Sequence, residues 1–445
     1  MKKRILSLCL VFAMLLTTLV GCSSSNANKS DGKSDTTSSK KTTSNGKKEK
    51  ITIWAWDESF NIVAANQAKE IYEKQNKNVE VDVVTMAQDD IVAKLNTSLA
   101  SKSYDGLPDI VLIEDYRIQG YLNSYANDFA DLSSIAKASD FASFKTGVDQ
   151  VNGKMYGIPF DSGVAATFYR TDLIEKAGYT EKDMENLTWD KYIEIGKKVK
   201  EKTGVAMCTL DPSDIGQIRM MLQSAGAWYV GNDGKTVTIK DNKALKDAIK
   251  VYKKLVDSGI TKQTSDWDQF VGAFNKGQVA SVPTGCWIVP SIIKANDQKG
   301  KWKAAAFPRM SENDKSVNAS SCGGAGWYVL KNVGHEKTAV DFLGKTFASD
   351  NDLMNNLASD ITLVSTLNSA KSGSNYSAGN DFFGGQKLFA DFAKWNAQVP
   401  TVNYGLSTYA IEDIMTEAVQ AIVGGADIDK TLADYQTQVE AAVAQ

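Results

Sequence analysis

Three stretches decide the fold of this chain: Ile51-Thr-Ile-Trp-Ala-Trp56, Val79-Glu-Val-Asp-Val-Val84 and Asp109-Ile-Val-Leu-Ile113. The first two alternate as β-strands do, and the third is a continuous apolar run. Between them, residues 61–72 carry apolar side chains at helical spacing, and Asp89 is placed to cap a second helix. This β-α-β-α-β order predicts a parallel sheet covered by helices on both faces.

The ends of the first and third strands are the first candidates for a ligand site. Ligands of open parallel sheets bind outside the carboxyl ends of the strands. Trp56 and Asp57 end the first strand, and Glu114 and Asp115 follow the third. We therefore expect ligand contacts at these positions. Helix capping is the alternative for Asp57 and for one of the other two acids.

The later chain continues the same alternation of strands and helices. One helix is expected to begin at Thr188 or Asp190 and to end at Gly204, and another covers residues 244–256. Gly231-Asn-Asp-Gly234 predicts a turn. Five tryptophans are expected to pack in the core or against a partner: Trp54, Trp189, Trp228, Trp302 and Trp395.

The N-terminal segment predicts an exported protein that stays tethered to a membrane. Residues 1–4 are basic after the initiator, and residues 5–20 form an apolar stretch that is short for a membrane span. Leu19-Val20-Gly21-Cys22 resembles the bacterial lipoprotein cleavage box, in which the cysteine is lipidated. Residues 1–21 are therefore expected to be a signal peptide and Cys22 a lipid anchor. A permanent span and an ordinary secreted protein are the alternatives.

A polar linker is expected over residues 22–50. Its Ser, Thr and Lys residues offer too little apolar surface to offset the entropy cost of ordering the chain. The 28 residues after Cys22 would span about 30 Å as a random coil. Beyond the linker, Cys208, Cys286 and Cys322 have no metal-type spacing. We expect free thiols, with a disulfide between Cys286 and Cys322 as the alternative.

The charge balance and the histidine content exclude several classes of function. Lys and Arg number 50 and Asp and Glu 53, and residues 51–445 carry 40 basic against 50 acidic side chains. A groove for nucleic acid needs an excess of basic groups, so we expect no nucleic acid partner. His335 is the single histidine, so histidine-based triads and multi-histidine metal sites lack their parts. We expect no metal and no cofactor.

Several motifs occur together in the middle and later parts of the chain. They are Tyr156-Gly-Ile-Pro159, residues 168–178, Thr188-Trp-Asp190, Ala273-Phe-Asn-Lys-Gly277 followed by Gly285-Cys-Trp287, and Phe382-Phe-Gly-Gly-Gln386. Together they resemble the extracellular solute-binding proteins of sugar ABC importers, maltose-binding proteins among them. The resemblance runs from Ile51 to near the C-terminus. One departure lies at residues 361–365, where relatives often carry a proline before a cleft loop and this chain has none.

The resemblance implies an α/β protein with the two-lobe, type II periplasmic-binding fold. Its sheets would be parallel-rich and flanked by helices, and the ligand would lie in a cleft between the lobes. The chain would cross between the lobes near residues 161, 323 and 372. The implied ranges are 51–161 plus 324–372 for lobe 1 and 162–323 plus 373–445 for lobe 2.

The resemblance also implies the remaining candidate site residues. Trp287 matches the family's sugar-stacking tryptophan, with core packing as its alternative, and Asp266-Trp267 precedes the Ala273 motif at the spacing of maltose-binding relatives. Sugars present apolar C–H faces and hydroxyl rims, which call for aromatic plates and planar carboxylates or amides. Such groups, or close backbone approach, are expected from Asp161, Asp211, Gly323, Gly324, Phe383, Gln386 and Tyr404. A structural hinge hydrogen bond is the alternative for Asp161.

The sequence therefore predicts a lipid-anchored binding protein, not an enzyme, that delivers a di- or oligosaccharide to an ABC permease. We expect a monomer on the extracellular face of the membrane of a single-membrane bacterium. One alternative keeps the fold and binds a polyamine, a peptide or a phosphate ester, although only four arginines follow Cys22 to recognise anions. The other alternative is a surface glycoside hydrolase with a pair of carboxylates.

Overall fold

The computed structural model describes residues 48–443. The predicted signal peptide, the lipid anchor at Cys22 and the linker up to residue 47 lie outside the described residues. The strands are β1 Glu49–Ala55, β2 Val79–Thr85, β3 Ile110–Glu114, β4 Gln150–Val151, β5 Lys154–Met155, β6 Gly157–Pro159, β7 Ala165–Arg170, β8 Cys208–Leu210, β9 Thr261–Gln263, β10 Ser281–Gly285, β11 Trp302–Ala306 and β12 Ala325–Val329.

The described chain also contains fifteen α-helices. They are α1 Asn61–Gln75, α2 Gln88–Ser101, α3 Asp115–Tyr125, α4 Ser143–Thr146, α5 Thr171–Lys176, α6 Trp189–Thr203, α7 Gly216–Ser224, α8 Lys243–Asp257, α9 Trp267–Asn275, α10 Val289–Ile292, α11 Glu336–Lys345, α12 Asn351–Ile361, α13 Leu388–Asn396, α14 Thr408–Val423 and α15 Ile428–Val443. Within residues 48–443, no helix is both long and apolar enough to cross a membrane.

The first sheet has the strand order β2-β1-β3-β12-β6. β1 runs parallel to β2 and β3, so that Ile53 pairs with Val83 and with Ile110. β12 is antiparallel to both of its neighbours, and Trp327 lies between Leu112 and Ile158. The three strands predicted from the sequence are confirmed, each within two residues of its expected ends. Glu49 and Lys50, expected in the linker, already belong to β1.

α1 and α2 pack on this sheet through their apolar positions, as the spacing predicts. Ile91, Leu95 and Leu99 of α2 are at most 2% exposed. The prediction that Asp89 caps α2 is wrong, because the N-cap is Ala87 and Asp89 lies in the first turn. Its charge still favours the helix there, since the N-terminal end of the helix dipole is positive.

The second sheet differs from the parallel-rich expectation. β7 is its central strand and pairs antiparallel with β10 and with β11. Among the strands described in this half, only β8 and β9 pair in parallel, although Ala206 also forms an isolated parallel bridge with Val279. All six residues of β7 are buried, because both of its faces are covered. A continuous apolar strand therefore indicates burial of both faces and does not reveal strand direction.

The helix predicted to begin at Thr188 or Asp190 and to end at Gly204 is confirmed as α6. The Thr188 hydroxyl oxygen accepts a hydrogen bond from the Lys191 N–H at 3.2 Å, which makes Thr188 the N-cap of α6. Gly204 ends the helix with φ 74°, a conformation that glycine adopts without strain. Asp190 lies inside the first turn and is not the cap.

The two sheets use separate parts of the chain. The first is built from residues 49–159 and 325–329, and the second from residues 165–306. The passages 160–164 and 307–324 therefore connect them, close to the crossings that the resemblance implies near residues 161 and 323. The exact lobe ranges stay a prediction.

Three hydrophobic clusters make up the core. One lies on the first sheet around Ile53 and Trp327, and another lies on the second sheet around Phe168 and Trp302. The largest cluster continues from Trp54 on the first sheet to helices α6, α7, α8 and α14. Trp54, Trp189, Trp228, Trp302 and Trp395 are all at most 8% exposed, as expected. The three cysteines Cys208, Cys286 and Cys322 are free thiols.

Gly324, at the second connection between the sheets, has no room for a side chain. Its φ is 109°, which L side chains rarely adopt. A Cβ atom built there would collide with the Lys145 ammonium and would lie 2.9 Å from Asp115 Oδ2 and 3.3 Å from the Asp161 carbonyl oxygen. The crossing therefore packs its backbone directly against a buried group of charges.

We predict that Gly324→Ala lowers the free energy of unfolding by roughly 3 kcal/mol, from backbone strain together with overpacking. Gly178→Ala is the matched control, because Gly178 also has a positive φ of 87° but nothing within 4 Å of a built Cβ. The control should lose only about 1 kcal/mol. Urea denaturation of both variants measures the difference, and equal losses would show that the collision at Gly324 is relieved.

Candidate functional site

The crossing brings Asp115, Asp161, Gly323 and Gly324 together, all of them predicted site residues. The Asp115 N–H donates to the Gly324 carbonyl at 3.0 Å. Asp161 Oδ1 accepts from the Ala325 N–H at 2.9 Å. Both carboxylates are nearly fully buried, at 2% and 4% exposure. For Asp161 the observed bond is the structural hinge hydrogen bond that the sequence left as an alternative.

Lys145 is the counter-charge of this group. It is 1% exposed and forms an ion pair with Asp115. Burial raises the pKa of Asp115 to about 7, although the Lys145 charge acts in the opposite direction. Burial also raises the pKa of Asp149, to about 6, against a hydrogen bond from the Tyr328 hydroxyl. The predicted ligand carboxylate Asp115 is thus engaged inside the protein.

Glu114 faces a helix that arrives from the far end of the sequence. Its Oε2 accepts from the Tyr409 hydroxyl of α14 at 2.9 Å and from Arg117 Nε at 3.3 Å. The Arg117 guanidinium lies 3.9 Å from the centre of the Tyr409 ring. Glu114 is half-buried. It is partly accessible to solvent, and its hydrogen bond with Tyr409 links the end of β3 to α14.

Tyr116 is a residue that the sequence reasoning missed. Its ring contacts three aromatic residues at centroid distances of 4.7 Å for Tyr404, 5.6 Å for Trp228 and 6.1 Å for Tyr409. Its hydroxyl oxygen accepts the Gly323 N–H at 2.9 Å. The position of Tyr116 directly after Glu114 and Asp115 could have marked it as a candidate. Its partners lie more than a hundred residues away in the sequence, so no local pattern reveals these contacts.

Trp267 and Trp287 form an aromatic pair beside the same crossing. Their ring centres are 5.9 Å apart with an interplanar angle of 34°. Trp287 Nε1 donates to the Cys322 carbonyl at 2.8 Å. Trp267 is 46% exposed, so a large apolar face lies open to solvent. Gly285 is needed because a Cβ there would collide with the Trp287 indole, which places the tryptophan over the backbone of its own strand end.

Trp56 and Asp57 lie at the predicted strand end and are half-buried. Asn61 Oδ1 accepts from the backbone N–H groups of both residues, at 3.1 and 2.9 Å. Asp57 Oδ1 accepts from the Ser59 N–H at 2.7 Å, so the carboxylate supports its own turn. Lys294, from the α10 region, donates to the Ser59 hydroxyl at 2.6 Å.

Four other predicted residues are explained by local structure. Asp211 Oδ1 accepts from the Ser213 N–H at 2.8 Å, and Asp266 is the N-cap of α9. Phe383 is 0% exposed within the cluster on the second sheet. Gln386 exchanges two 2.8 Å hydrogen bonds with the backbone of Ala304 and so extends the edge of β11. None of these four contacts requires a ligand.

A polar cavity of about 210 Å³ lies further along α3. It is lined by Gln119, Asn123, Val151, Asp233, Gly234, Lys235, Asn403, Gly405 and Leu406. The predicted site residues are not among its lining. A smaller cavity of about 10 Å³ is bordered by Trp56 and Glu114. The candidate site is therefore defined by its side chains more than by a large cavity.

The comparison with known families identifies the chain. The family model described as bacterial extracellular solute-binding protein matches residues 67–384. The chain belongs to this family. The lactose-binding protein of Rhizobium radiobacter is 41% identical to this solute-binding protein over 388 residues, which cover 87% of this chain and 92% of the relative. The arabinooligosaccharide-binding protein of Bacillus subtilis (strain 168) is 29% identical over 355 residues, which cover 77% and 76%.

Solved structures confirm the two-lobe α/β fold. The GacH receptor of Streptomyces glaucescens GLA.O superimposes with a TM-score of 0.75 at 19% identity, covering 89% of this chain and 99% of that chain. The ABC transporter-associated binding protein of B. animalis subsp. lactis Bl-04, in complex with β-1,6-galactobiose, gives 0.74 at 22% identity, covering 88% and 97%. Because the family consists of transporter binding proteins, this solute-binding protein is not an enzyme.

We predict that the stability of this solute-binding protein depends on the protonation of Asp149. An unfolded Asp has a pKa of about 3.9, whereas the folded group titrates near 6. The folded state therefore holds a proton that the unfolded state has released, and the free energy of unfolding falls as pH rises from about 4 to 6. Asp149→Asn removes the contribution of Asp149, whereas Asp115 keeps its own pH dependence in both proteins, so wild type should lose on the order of 2–3 kcal/mol relative to the variant across that window.

Asp233→Asn provides the control for this pH series. Asp233 is exposed, and hydrogen bonds from Thr236 and the neighbouring N–H groups lower its pKa to about 2. Its stabilising effect is complete above about pH 4 and is lost only as pH falls towards 2. The difference between wild type and this variant should be constant from pH 5 to 8. Chemical denaturation at each pH measures the free energy of unfolding of wild type and of both variants. Parallel pH profiles for wild type and Asp149→Asn would contradict the raised pKa of Asp149.

Proposed function

We propose that this solute-binding protein is the extracellular receptor of a carbohydrate ABC importer and binds a di- or oligosaccharide between its lobes. The observation that carries the proposal is the 41% identity to a lactose-binding protein along 87% of the chain. The arabinooligosaccharide-binding relative supports the same class of ligand. Lactose is therefore the first sugar to test, and longer saccharides follow.

The Trp267–Trp287 pair supplies the apolar surface that a sugar needs. An exposed indole face suits the C–H face of a pyranose ring, and Trp287 is held in place by its bond to the Cys322 carbonyl. Glu114 and Asp57, at the carboxyl ends of the neighbouring strands β3 and β1, offer planar oxygens to hydroxyl groups. These four residues form the core of the site that we propose.

Hinge closure is the proposed mechanism. Contacts already join the two sides: Tyr409 to Glu114, and Lys294 to Ser59. A sugar that contacts both sides binds the closed form better than the open form, so it shifts the population towards closure. The closed, loaded form would then dock on the permease.

A panel of ligands tests the proposed function directly. The chain from Ser23 onward is heated with lactose, galactobiose, arabino-oligosaccharides, maltose, polyamines and sugar phosphates. A ligand at 100-fold over its dissociation constant adds about 2.7 kcal/mol to stability, which raises the melting temperature measurably. A shift with one saccharide series supports the proposal. A response to polyamines or phosphates alone, with none to sugars, contradicts it.

We predict that Trp287→Ala weakens binding of the active sugar by about 100-fold and Trp267→Ala by at least about tenfold, because each removes an aromatic plate. Trp267 is largely exposed, so its replacement should leave the melting temperature nearly unchanged. Tyr179→Ala, at a partly exposed aromatic residue of the second half, is the control and should bind as wild type does. Calorimetric titration measures all three, and wild-type affinity in both tryptophan variants would contradict the site.

We propose further that Cys22 carries the lipid that tethers the receptor to the outer face of the membrane. Two or three acyl chains hold a protein stably, whereas a single chain does not. Cys22→Ala should abolish incorporation of a labelled fatty acid and release the protein into the medium. Cys208→Ala, which removes a buried thiol, should leave both unchanged. Retention of the label in Cys22→Ala would contradict the anchor.

A further inference from the structure

Tyr116 fills a socket built from distant parts of the chain. We define the socket by Arg219 of α7, Trp228, Tyr404 and Tyr409. The Arg219 guanidinium carbon lies 4.7 Å from the centre of the Tyr116 ring, and the Trp228 ring stacks on it at 5.6 Å with an interplanar angle of 28°. Tyr404 meets it edge-on at 4.7 Å. A flat ring is therefore enclosed by aromatic and cationic surfaces.

The walls of the socket are held without help from Tyr116. Trp228 Nε1 donates to the Thr408 hydroxyl at 3.1 Å, and Arg219 forms an ion pair with Glu412. Glu412 in turn accepts from the Tyr229 hydroxyl at 2.9 Å. The socket is accordingly preorganised: withdrawing the Tyr116 ring would leave these bonds in place.

Tyr116 satisfies the socket only in part. Among the residues that the structure describes, Arg219 Nε and Gln223 Oε1 are buried polar atoms without a hydrogen-bond partner. Arg219 is 7% exposed and Gln223 2% exposed. The Gln223 amide borders the socket, because its Nε2 lies 3.1 Å from the Tyr404 hydroxyl. A buried polar atom without a partner is costly, and a phenyl ring cannot supply that partner. Ligand hydroxyl groups can.

We propose that the socket is a pyranose subsite and that Tyr116 is its displaceable internal occupant. The inference rests on the proposed sugar-binding function and adds Arg219, Gln223 and Trp228 to the site. A sugar ring stacks on Trp228 where Tyr116 stacks now, and its hydroxyls pair with Arg219 Nε and Gln223 Oε1. The Tyr116 side chain rotates out of the socket, while Asp115 keeps its ion pair with Lys145 and the start of α3 stays in place. Because Tyr116 competes with the sugar, the apparent affinity equals the intrinsic affinity multiplied by the fraction of molecules whose socket is free.

The decisive experiment is calorimetric titration of Tyr116→Ala with the sugar that stabilises wild type. If the socket is free in roughly one wild-type molecule in ten, the variant binds about tenfold more tightly. Tyr121→Ala is the matched control: Tyr121 is a buried tyrosine of the same helix, but it packs on Phe129 and bonds to Asn96. The control should bind as wild type does. Unchanged or weaker binding in Tyr116→Ala, with the control unchanged, overturns the proposal.

Two milder variants keep the test informative if Tyr116→Ala does not fold. Tyr116→Phe loses only the bond from the Gly323 N–H, about 1 kcal/mol, so binding should tighten up to about fivefold. Gln223→Leu should weaken sugar binding at least about tenfold, since it removes the acceptor Oε1, and its melting temperature should fall slightly because the hydrogen bond from Nε2 to the Tyr404 hydroxyl is lost too. Wild-type affinity in Tyr116→Phe or in Gln223→Leu contradicts the subsite. Wild type that binds no sugar at all instead refutes the proposed function.

Discussion

A buried ammonium group fixes the geometry on which the candidate site depends. Lys145 is almost inaccessible to water and has Asp115, Asp149 and Asp161 as its neighbouring carboxylates. A buried charge is tolerated only when it is paired with an opposite charge, and removal of one partner leaves the other as an uncompensated buried charge. Asp115 is the first residue of α3, so this pairing sets where α3 begins. Gly324 passes directly over the pair, and Glu114 and Tyr116 flank it. The position of the crossing and the direction of α3 are thus set by one electrostatic constraint.

The sequence predicted three of the five strands of the first sheet, β1, β2 and β3, because each of these carries its own evidence, and it did not predict β6 or β12. Alternation, or a continuous apolar run, indicates which side chains are buried, and this pattern of burial identifies the segment as a strand. The antiparallel direction of β10 and β11 beside β7 has no comparable local signal, since a strand covered on both faces reads the same in either direction. The family motifs supplied the two-lobe fold, which pattern alone did not.

The candidate site was harder to predict, for a physical reason that its aspartates illustrate. Asp57, Asp211 and Asp266 each accept a hydrogen bond from an N–H two or three residues further on. The carboxylate that closes a turn or caps a helix is chemically the carboxylate that binds a hydroxyl, and both occur at the ends of strands. Gln386 shows the same ambiguity, because its amide completes a sheet edge with the hydrogen-bonding pattern that would suit a sugar. Conversely, Trp228 is buried as expected, yet it borders the socket of Tyr116. The residues that form this socket lie far from Tyr116 in the sequence, up to 293 positions away for Tyr409.

In the proposed mechanism, closure is a balance between internal and ligand contacts. The Glu114–Tyr409 and Ser59–Lys294 bonds join the two sides without any contribution from a ligand, and the Tyr116 ring adds aromatic packing to them. Whatever the two hydrogen bonds contribute to closure is available equally to every solute, and the Tyr116 packing would be lost to any sugar that enters the socket. Neither can therefore distinguish one sugar from another. Discrimination must come from groups whose hydrogen bonding the protein alone leaves incomplete, and from the aromatic faces it leaves open. Arg219 Nε, Gln223 Oε1 and the exposed face of Trp267 are such groups, so in the proposed site they would determine specificity rather than closure.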